Sequence, residues 1–280
     1  MTIVIGINSF TEAIMIADSR VSWEDDRHPP QDILRKLYTF GDGTKSAVLG
    51  FSGDLQAASV IMRFLMERKF RNYKRPFILS QFKDDLGRWI EEVAKTHLPS
   101  AKRTKVKFML GGIEPSRHPP ILKDGKVIGH TPFVEVHIYI YLVDANGNVH
   151  YNARPKGYDV IGTGRDLERE IAKIVGDAIT FGFNQRQLHR ARAVVMGEAI
   201  AVRIKKDEKV SVTVGGPFQV VRLTPEGLET HYIWPPDMGD RNVEVQHDRS
   251  KTVIYNPSTK EKYVLYPVWG LSPHQLKGAA

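Results

Sequence analysis

Position 2 holds the residue whose chemistry is most distinctive. A threonine hydroxyl is a poor nucleophile until a base takes its proton, and a free α-amino group, with an ordinary pKa of about 7.7 to 8, is a suitable base on the same residue. Thr2 meets that condition once Met1 is removed, as methionine aminopeptidases do when the second residue is small. The chemistry would be acyl transfer: the hydroxyl attacks a carbonyl, and water resolves the ester. Thr2 alone says little, because a threonine at that position is common.

Other chemistries find less support. The chain has no cysteine, which removes disulfides, thiolate metal sites and a cysteine nucleophile. Among its ten histidines no pair has a helical His-x-x-x-His spacing, and His28 and His118 each precede two prolines in loops, so no metal site is expected. Gly162, Thr163 and Gly164 precede a helical stretch but lack the third glycine of a dinucleotide fingerprint and the lysine of a P-loop. No cofactor is expected.

Composition sets the outer bounds. With 280 residues there is room for one large core plus an appendage, and 41% apolar against 26% charged residues is the balance of an ordinary globular protein. No apolar run reaches the roughly 18 residues that span a bilayer, and the N-terminus lacks a signal-peptide pattern. A soluble, cytoplasmic protein with no membrane partner is the expectation. The net charge of +8 concentrates at Lys69, Arg71, Lys74, Arg75 and at Lys102, Arg103, Lys105, Lys107, without interleaved aromatic residues. That reads as solvated surface, and no nucleic-acid partner is expected.

The elements that must position Thr2 follow from apolar periodicity. Thr2 to Ile7 and Ala13 to Ala17 read as a β-hairpin, and Leu37 to Phe40 with Ser46 to Phe51 as a second, so four strands precede any helix. Leu55, Ala58, Ile61, Met62 and Leu65 then recur at helical spacing behind Asp54, and a second helix carries Phe82, Leu86, Ile90 and Val93 before Pro99. Strands return at Lys107 to Gly112 and at Val134 to Leu142, where strict alternation marks a half-buried strand. Between them, Pro115 to Pro132 reads as an inserted loop or short hairpin.

After a turn at Asp144 to Gly147 come a strand over Asp159 to Gly162, a helix with Leu167, Ile171, Ile174, Val175 and Ala178 on one face, and another from about Gln187 to Ile204. Val210 to Leu223 is strand-like, interrupted at Gly215, Gly216 and Pro217. The order of strands, two helices, strands, two helices, strands fits an α+β four-layer αββα sandwich. From Glu229 the character changes, and Thr252 to Tyr255 with Lys262 to Tyr266 form a β-hairpin candidate. The expected organisation is a main domain over 1–228 and a C-terminal β-rich extension over 229–280.

Several segments in order resemble one family. Thr2-Ile3-Val4-Ile5-Gly6-Ile7, then Ala17-Asp18-Ser19-Arg20-Val21, then Arg35-Lys36-Leu37-Tyr38, resemble proteasome β subunits and their bacterial relatives such as the HslV peptidase, which are N-terminal nucleophile hydrolases. The resemblance implies that Thr2 is the nucleophile, Asp18 the carboxylate and Lys36 the lysine of the site, with Arg20 anchoring the end of the second strand. A buried cation near the α-amine would lower that amine's pKa, and a carboxylate would fix and partly compensate the lysine. Outside the resemblance, the same residues suit a capped turn and a surface lysine.

Gly50-Phe51-Ser52-Gly53-Asp54-Leu55-Gln56 resembles the family's strand-to-helix segment, which implies that Gly50 offers its N–H to an oxyanion. Val160-Ile161-Gly162-Thr163-Gly164 resembles its Gly-Ser-Gly turn, with Thr163 in place of serine. Gly215 and Gly216 resemble its late glycine pair, ahead of which the family carries an aspartate and a serine where this chain has Ser211 and Val214. The positions that would border the first subsite, Val21, Leu34, Val48 and Ser52, are all uncharged, which implies a neutral to apolar preference.

The resemblance covers about residues 2–228. It implies a threonine-type endopeptidase acting on polypeptides inside a self-compartmentalised homo-oligomeric ring, with room for an unfoldase partner. Two alternatives stay open: an amidase or acylase on the same fold acting on a small substrate, and a catalytically silent structural subunit, which the substituted Ser211 and Val214 favour.

Overall fold

A computed structural model describes residues 3–8, 12–22, 29–41, 46–71, 78–115, 121–129, 134–154, 157–162, 165–184, 189–211, 213–224, 227–233, 244–248, 250–257 and 260–271. The chain opens with strands β1 (Ile3–Asn8) and β2 (Ala13–Ala17), paired as a hairpin. Three two-residue strands follow, β3 (Arg20–Val21), β4 (Gln31–Asp32) and β5 (Leu34–Arg35), and then β6 (Leu37–Phe40) and β7 (Ala47–Gly53). Among the described residues seven strands thus precede the first helix, against an expected four, because the short ones carry no alternation to detect.

Helix α1 (Leu55–Phe64) runs on as a π-helical stretch over Leu65–Phe70, followed by α2 (Leu79–His97) and the single turn α3 (Ser100–Arg103). Asp54 does more than favour the dipole, since its side chain accepts from Ala57 N at 2.9 Å and caps α1. Asp54→Ala should cost about 1 kcal/mol, read as a shift in the urea midpoint at constant slope.

The middle of the chain supplies β8 (Val106–Pro115), β9 (Ile121–Lys123), β10 (Lys126–Gly129), β11 (Val134–Val143), β12 (Val149–Arg154) and β13 (Gly157–Gly162). The segment read as loop or short hairpin contains the paired strands β9 and β10. Then come α4 (Arg165–Asn184), α5 (His189–Lys206), the short α6 (Glu208–Ser211), β14 (Phe218–Thr224) and β15 (Gly227–Ile233). Val210 therefore sits in a helical turn and not in the strand expected from 210 onward. The side chain of Asp207 accepts from Lys209 N and Val210 N, capping that turn. The chain closes with β16 (Glu244–His247), β17 (Thr252–Tyr255), β18 (Lys262–Pro267) and a 3-10 turn over Val268–Gly270.

Two five-stranded sheets organise this mixed α+β fold. The first has the order β13-β1-β2-β14-β15 and the second β12-β11-β8-β7-β6. Alternation assigns the faces. In β1, Ile3, Ile5 and Ile7 join Ile171, Val175 and Ile200 of α4 and α5, whereas Val4 joins Val48, Met109 and Ile138 of the second sheet. In β7 the pattern is mirrored: Leu49 and Phe51 meet Ile61 of α1 and Leu86 of α2, and Val48 turns to the first sheet. A sheet covered on both faces reads as an unbroken apolar run, which is what β1 and β7 show.

β11 corrects an expectation. It is not half-buried, because Val136 and Ile138 face the other sheet while Tyr139 and Tyr141 pack towards the helices. Tyr141 is fully buried and its hydroxyl donates to the Lys83 carbonyl at 3.0 Å. The expected boundary between residues 228 and 229 falls inside β15, which pairs along its whole length with β14.

The chain after β15 returns to the core. β16, β17 and β18 form a sheet whose last strand pairs in parallel with β5, Tyr266 beside Leu34 and Pro267 beside Arg35. Tyr266 N donates to Ile33 O at 2.7 Å, and Val268 and Leu271 are buried in the same cluster as Val21 and Leu34. At the edge of the second sheet, the Gln219 side chain closes the ladder of β6. Its Oε1 accepts from Leu37 N and its Nε2 donates to Leu37 O, both at 3.1 Å.

Candidate active site

β2 ends at Ala17, and the next side chain, Asp18, turns inward with 1% exposure. A buried carboxylate must be fully paired. Oδ1 accepts from Lys36 Nζ at 2.5 Å and from Ile3 N at 3.2 Å, and Oδ2 accepts from Arg20 N at 3.2 Å and Gly215 N at 3.3 Å. Lys36 is not a surface lysine: it has no exposure, and it also donates to the Arg20 carbonyl at 2.8 Å. Burial lowers its pKa from the ordinary lysine value, with the Asp18 charge opposing.

Thr2 and Thr163 lie outside the described residues. Their covalent neighbours are placed, however, and they are side by side. Ile3 N, the nitrogen of the Thr2–Ile3 peptide bond, is held by Asp18, and Ile3 is the cross-strand partner of Gly162, which precedes Thr163. The Gly162 N–H donates to Glu168 Oε1 at 2.7 Å, and the same oxygen takes Lys107 Nζ at 2.5 Å. The first turn of α4 thereby ties the end of β13 to Lys107 of β8.

Arg20 anchors the other side. Its Nε and Nη2 reach the two carboxylate oxygens of Asp32 at 2.8 and 3.3 Å, and Nη1 donates to the Ser211 carbonyl at 2.7 Å. The Asp32 pairing raises the arginine's pKa. Ser211 thus contributes its backbone, while its hydroxyl lies 3.5 Å from Glu208 O, and Val214 is buried in the core. Neither side chain is among the hydrogen-bond partners of Asp18. The glycine pair is required by crowding: a Cβ on Gly215 would stand 2.5 Å from Arg20 Cζ, and Gly216, at φ +74°, would drive one into Ser19 and Asp32. A cavity of about 310 Å³ opens here, walled by Arg20, Asp32, Gly216 and, from the C-terminal sheet, Tyr263.

Gly50 lies mid-strand between Leu37 and Met109, where a Cβ would sit 2.8 Å from Leu37 Cδ2 and 2.9 Å from Val4 Cγ1. Packing alone demands a glycine there. Val21, Leu34, Val48 and Ser52, expected to border a subsite, all have zero exposure. Val21 and Leu34 share one core cluster with Val268 and Leu271, Leu34 lying beside Tyr266 in the ladder, Val48 lies between the sheets, and the buried Ser52 Oγ has no hydrogen-bond partner. They are core walls in this conformation, and the C-terminal segment forms the cover.

Sequence reasoning passed over Asp32, Glu168 and Tyr263. Asp32 and Glu168 are acids in polar stretches with no pattern to separate them from surface charge, and Tyr263 comes from a segment outside the resemblance. Among the described residues no group of three His, Asp or Glu side chains could hold a metal ion, and no helix is long and apolar enough to cross a membrane.

The geometry can be compared with solved structures. An Anbu mutant from Hyphomicrobium sp. strain MC1 matches with a TM-score of 0.53 at 14% identity, over 85% of this chain and 90% of that one. The chain is structurally similar to Anbu. This is the ancestral β-subunit, a proteasome-like N-terminal nucleophile hydrolase family. The helical assembly of the Anbu complex from Pseudomonas aeruginosa matches at 0.53 and 14% identity over 84% and 88% of the two chains. Anbu from Yersinia bercovieri matches at 0.51 and 15% identity over 83% and 87%. At the level of sequence, no family model and no curated protein matches. The likeness to Anbu is one of fold.

Proposed function

We propose that this chain is a threonine-type peptidase of the N-terminal nucleophile class, with Thr2, freed by loss of Met1, as the nucleophile. The observation that carries this is the double duty of one buried carboxylate: Asp18 Oδ1 binds both Lys36 Nζ and the nitrogen joined to the Thr2 carbonyl. A lysine fixed there disfavours a second positive charge on the Thr2 amine and keeps that amine a base. Thr2 Oγ then attacks the scissile carbonyl, the amine passes its proton to the leaving group, and water resolves the ester; Gly50, paired mid-strand with Leu37 and Met109, is not placed to supply the expected oxyanion N–H.

The three apolar clusters support a four-layer αββα arrangement, helix pair, sheet, sheet, helix pair, with the strands after β15, β16 to β18, as a β-rich addition. A homo-oligomeric assembly acting on polypeptides in the cytoplasm, with or without an unfoldase, completes the reading. An amidase or acylase on a small substrate is the second reading, favoured by the C-terminal cover over Val21 and Leu34.

Intact mass after incubation with a β-lactone directed at N-terminal threonine tests the nucleophile. The expected result is loss of Met1 and one adduct, absent in Thr2→Ala. Retained Met1, or no adduct on folded protein, would sink the hydrolase reading. Native mass separates the other two, a ring favouring the peptidase and a monomer or dimer the amidase.

A further inference from the structure

Asp32 does more than pair with Arg20. It is the cross-strand partner of Arg20 in the β3–β4 ladder, and its carboxylate holds the guanidinium at 2.8 and 3.3 Å. So held, the guanidinium lies against Gly215, where a Cβ would meet Cζ at 2.5 Å, and reaches the Ser211 carbonyl at 2.7 Å. Gly215 is the residue whose N–H donates to Asp18 Oδ2 at 3.3 Å and whose carbonyl accepts from Ser19 N at 3.2 Å. Asp32, Arg20, Gly215 and Asp18 thus form one chain of contacts that ends on Lys36 and on the nitrogen of the Thr2–Ile3 bond.

The charges along this chain cancel. Lys36 and Arg20 bring two cations to the site, and Asp18 and Asp32 bring two anions. The Lys36 and Asp18 side chains have no exposure, and those of Arg20 and Asp32 keep only 24% and 17%, so solvent screens them less than surface charges. Burial lowers the Lys36 pKa; the Asp18 charge opposes this most, the Asp32 charge opposes it too, and Arg20 adds to the lowering. Without Asp32, Asp18 alone would face two cations. Tyr263 of β18, on the wall of the same cavity, is kept neutral by burial and by the Asp32 charge. Lys205 of α5, Glu208 and Lys209 of α6 and Glu261 ahead of β18 are exposed, where solvent screens them.

We propose that Asp32 is a positioning residue of the nucleophile site: acting through Arg20, it seats the Gly215 loop on Asp18 and supplies the second negative charge that balances the two cations. Its effect on the Thr2 amine rests on the proposed nucleophile, and its effect on Lys36 does not. Loss of the Asp32 charge leaves the site net positive, which disfavours protonation of any amine there. Loss of the Arg20 charge does the reverse. A residue that only holds the fold together has no such sign.

The test is the rate of β-lactone acylation of the full chain against pH. Where an amine must be neutral to act, the rate climbs with pH to a plateau, and the midpoint of the climb reports that amine. Asp32→Asn is expected to move the midpoint down by about half a pH unit or more and to lower the plateau about tenfold. Arg20→Gln is expected to move it up, Asp32→Glu to leave it in place, and the double variant Asp32→Asn, Arg20→Gln to return it towards that of the natural chain. The proposal is overturned if Asp32→Asn lowers the plateau with the midpoint unmoved, or if both single variants move it the same way.

Urea midpoints between about pH 6 and pH 10 read Lys36 without calling on Thr2. The folded pKa of Lys36 lies below its unfolded value and falls further without Asp32, so the stability deficit of Asp32→Asn should shrink as pH rises through the folded value. A natural chain that takes no lactone defeats the hydrolase reading, and these curves then judge Asp32: a deficit constant across pH overturns the proposal. Should Asp32→Asn fail to fold, the upward shift of Arg20→Gln and the fixed midpoint of Asp32→Glu decide.

Discussion

Asp18→Asn is expected to lower hydrolysis by about a hundredfold or more and to destabilise the folded chain by about 3–5 kcal/mol. All four groups that Asp18 accepts from are donors: Ile3 N, Lys36 Nζ, Arg20 N and Gly215 N. A carboxamide offers one acceptor oxygen, so its NH2 must face a pair of donors whichever way it turns. Lys36 is left buried without a counter-charge. The effect has a pH signature. Lys36 already has a folded pKa below its unfolded value, so the unfolded chain binds the proton more readily, and stability rises with pH between those two values. Without the Asp18 charge the folded value falls further and the window widens downward. The deficit of Asp18→Asn should therefore be large near neutrality and shrink towards pH 10, measured as urea midpoints across pH. A deficit that does not change with pH would mean that Lys36 is neutral in both proteins.

Ending the chain at Glu261 should cost about 4.5–9 kcal/mol, the combined burial of Leu265, Val268 and Leu271 at about 1.5–3 kcal/mol each. Trp269 packs on Tyr38 with ring centroids 4.8 Å apart and the rings tilted by 36°, and its carbonyl accepts from Arg63 Nη2 at 3.0 Å. The Tyr38 hydroxyl, held above its usual pKa by burial, accepts from Val268 N at 3.0 Å and donates to Arg35 O at 2.6 Å. Truncation breaks the first link and opens Val21, Leu34 and Tyr38 to water. Total stabilities of domains are about 5–15 kcal/mol, so the shortened chain should sit near its unfolding threshold and bind a hydrophobic dye. An unchanged urea midpoint would show instead that the C-terminal sheet is a passive addition.

The sequence made some of this legible and hid the rest for physical reasons. β1, β2 and the helices announce themselves because apolar residues at fixed spacing have one way to be buried. β12 does not: Val149 and Tyr151 pack inward, but the polar His150 and Asn152 alternating with them give an edge strand the look of a loop. Val210, Val212 and Val214 alternate like a strand in the sequence, but the cap at Asp207 puts Val210 in the helical turn α6. Asp18 and Lys36 were readable from their order along the chain. The burial of Leu34 was not, because the residue beside it in the ladder, Tyr266, lies far along the chain. Neighbouring side chains say what a wall is made of, and not what stands in front of it.

The amide of Gln219 on both backbone groups of Leu37 has a consequence for how copies of this chain can meet. An outer strand with free N–H and C=O groups is a template on which another chain can add a strand, which is a route to aggregates as well as to oligomers. At Leu37 those groups are already occupied by a side chain that cannot propagate a ladder. The β6 margin is thus blocked at Leu37, which disfavours addition of a strand at that point of the sheet.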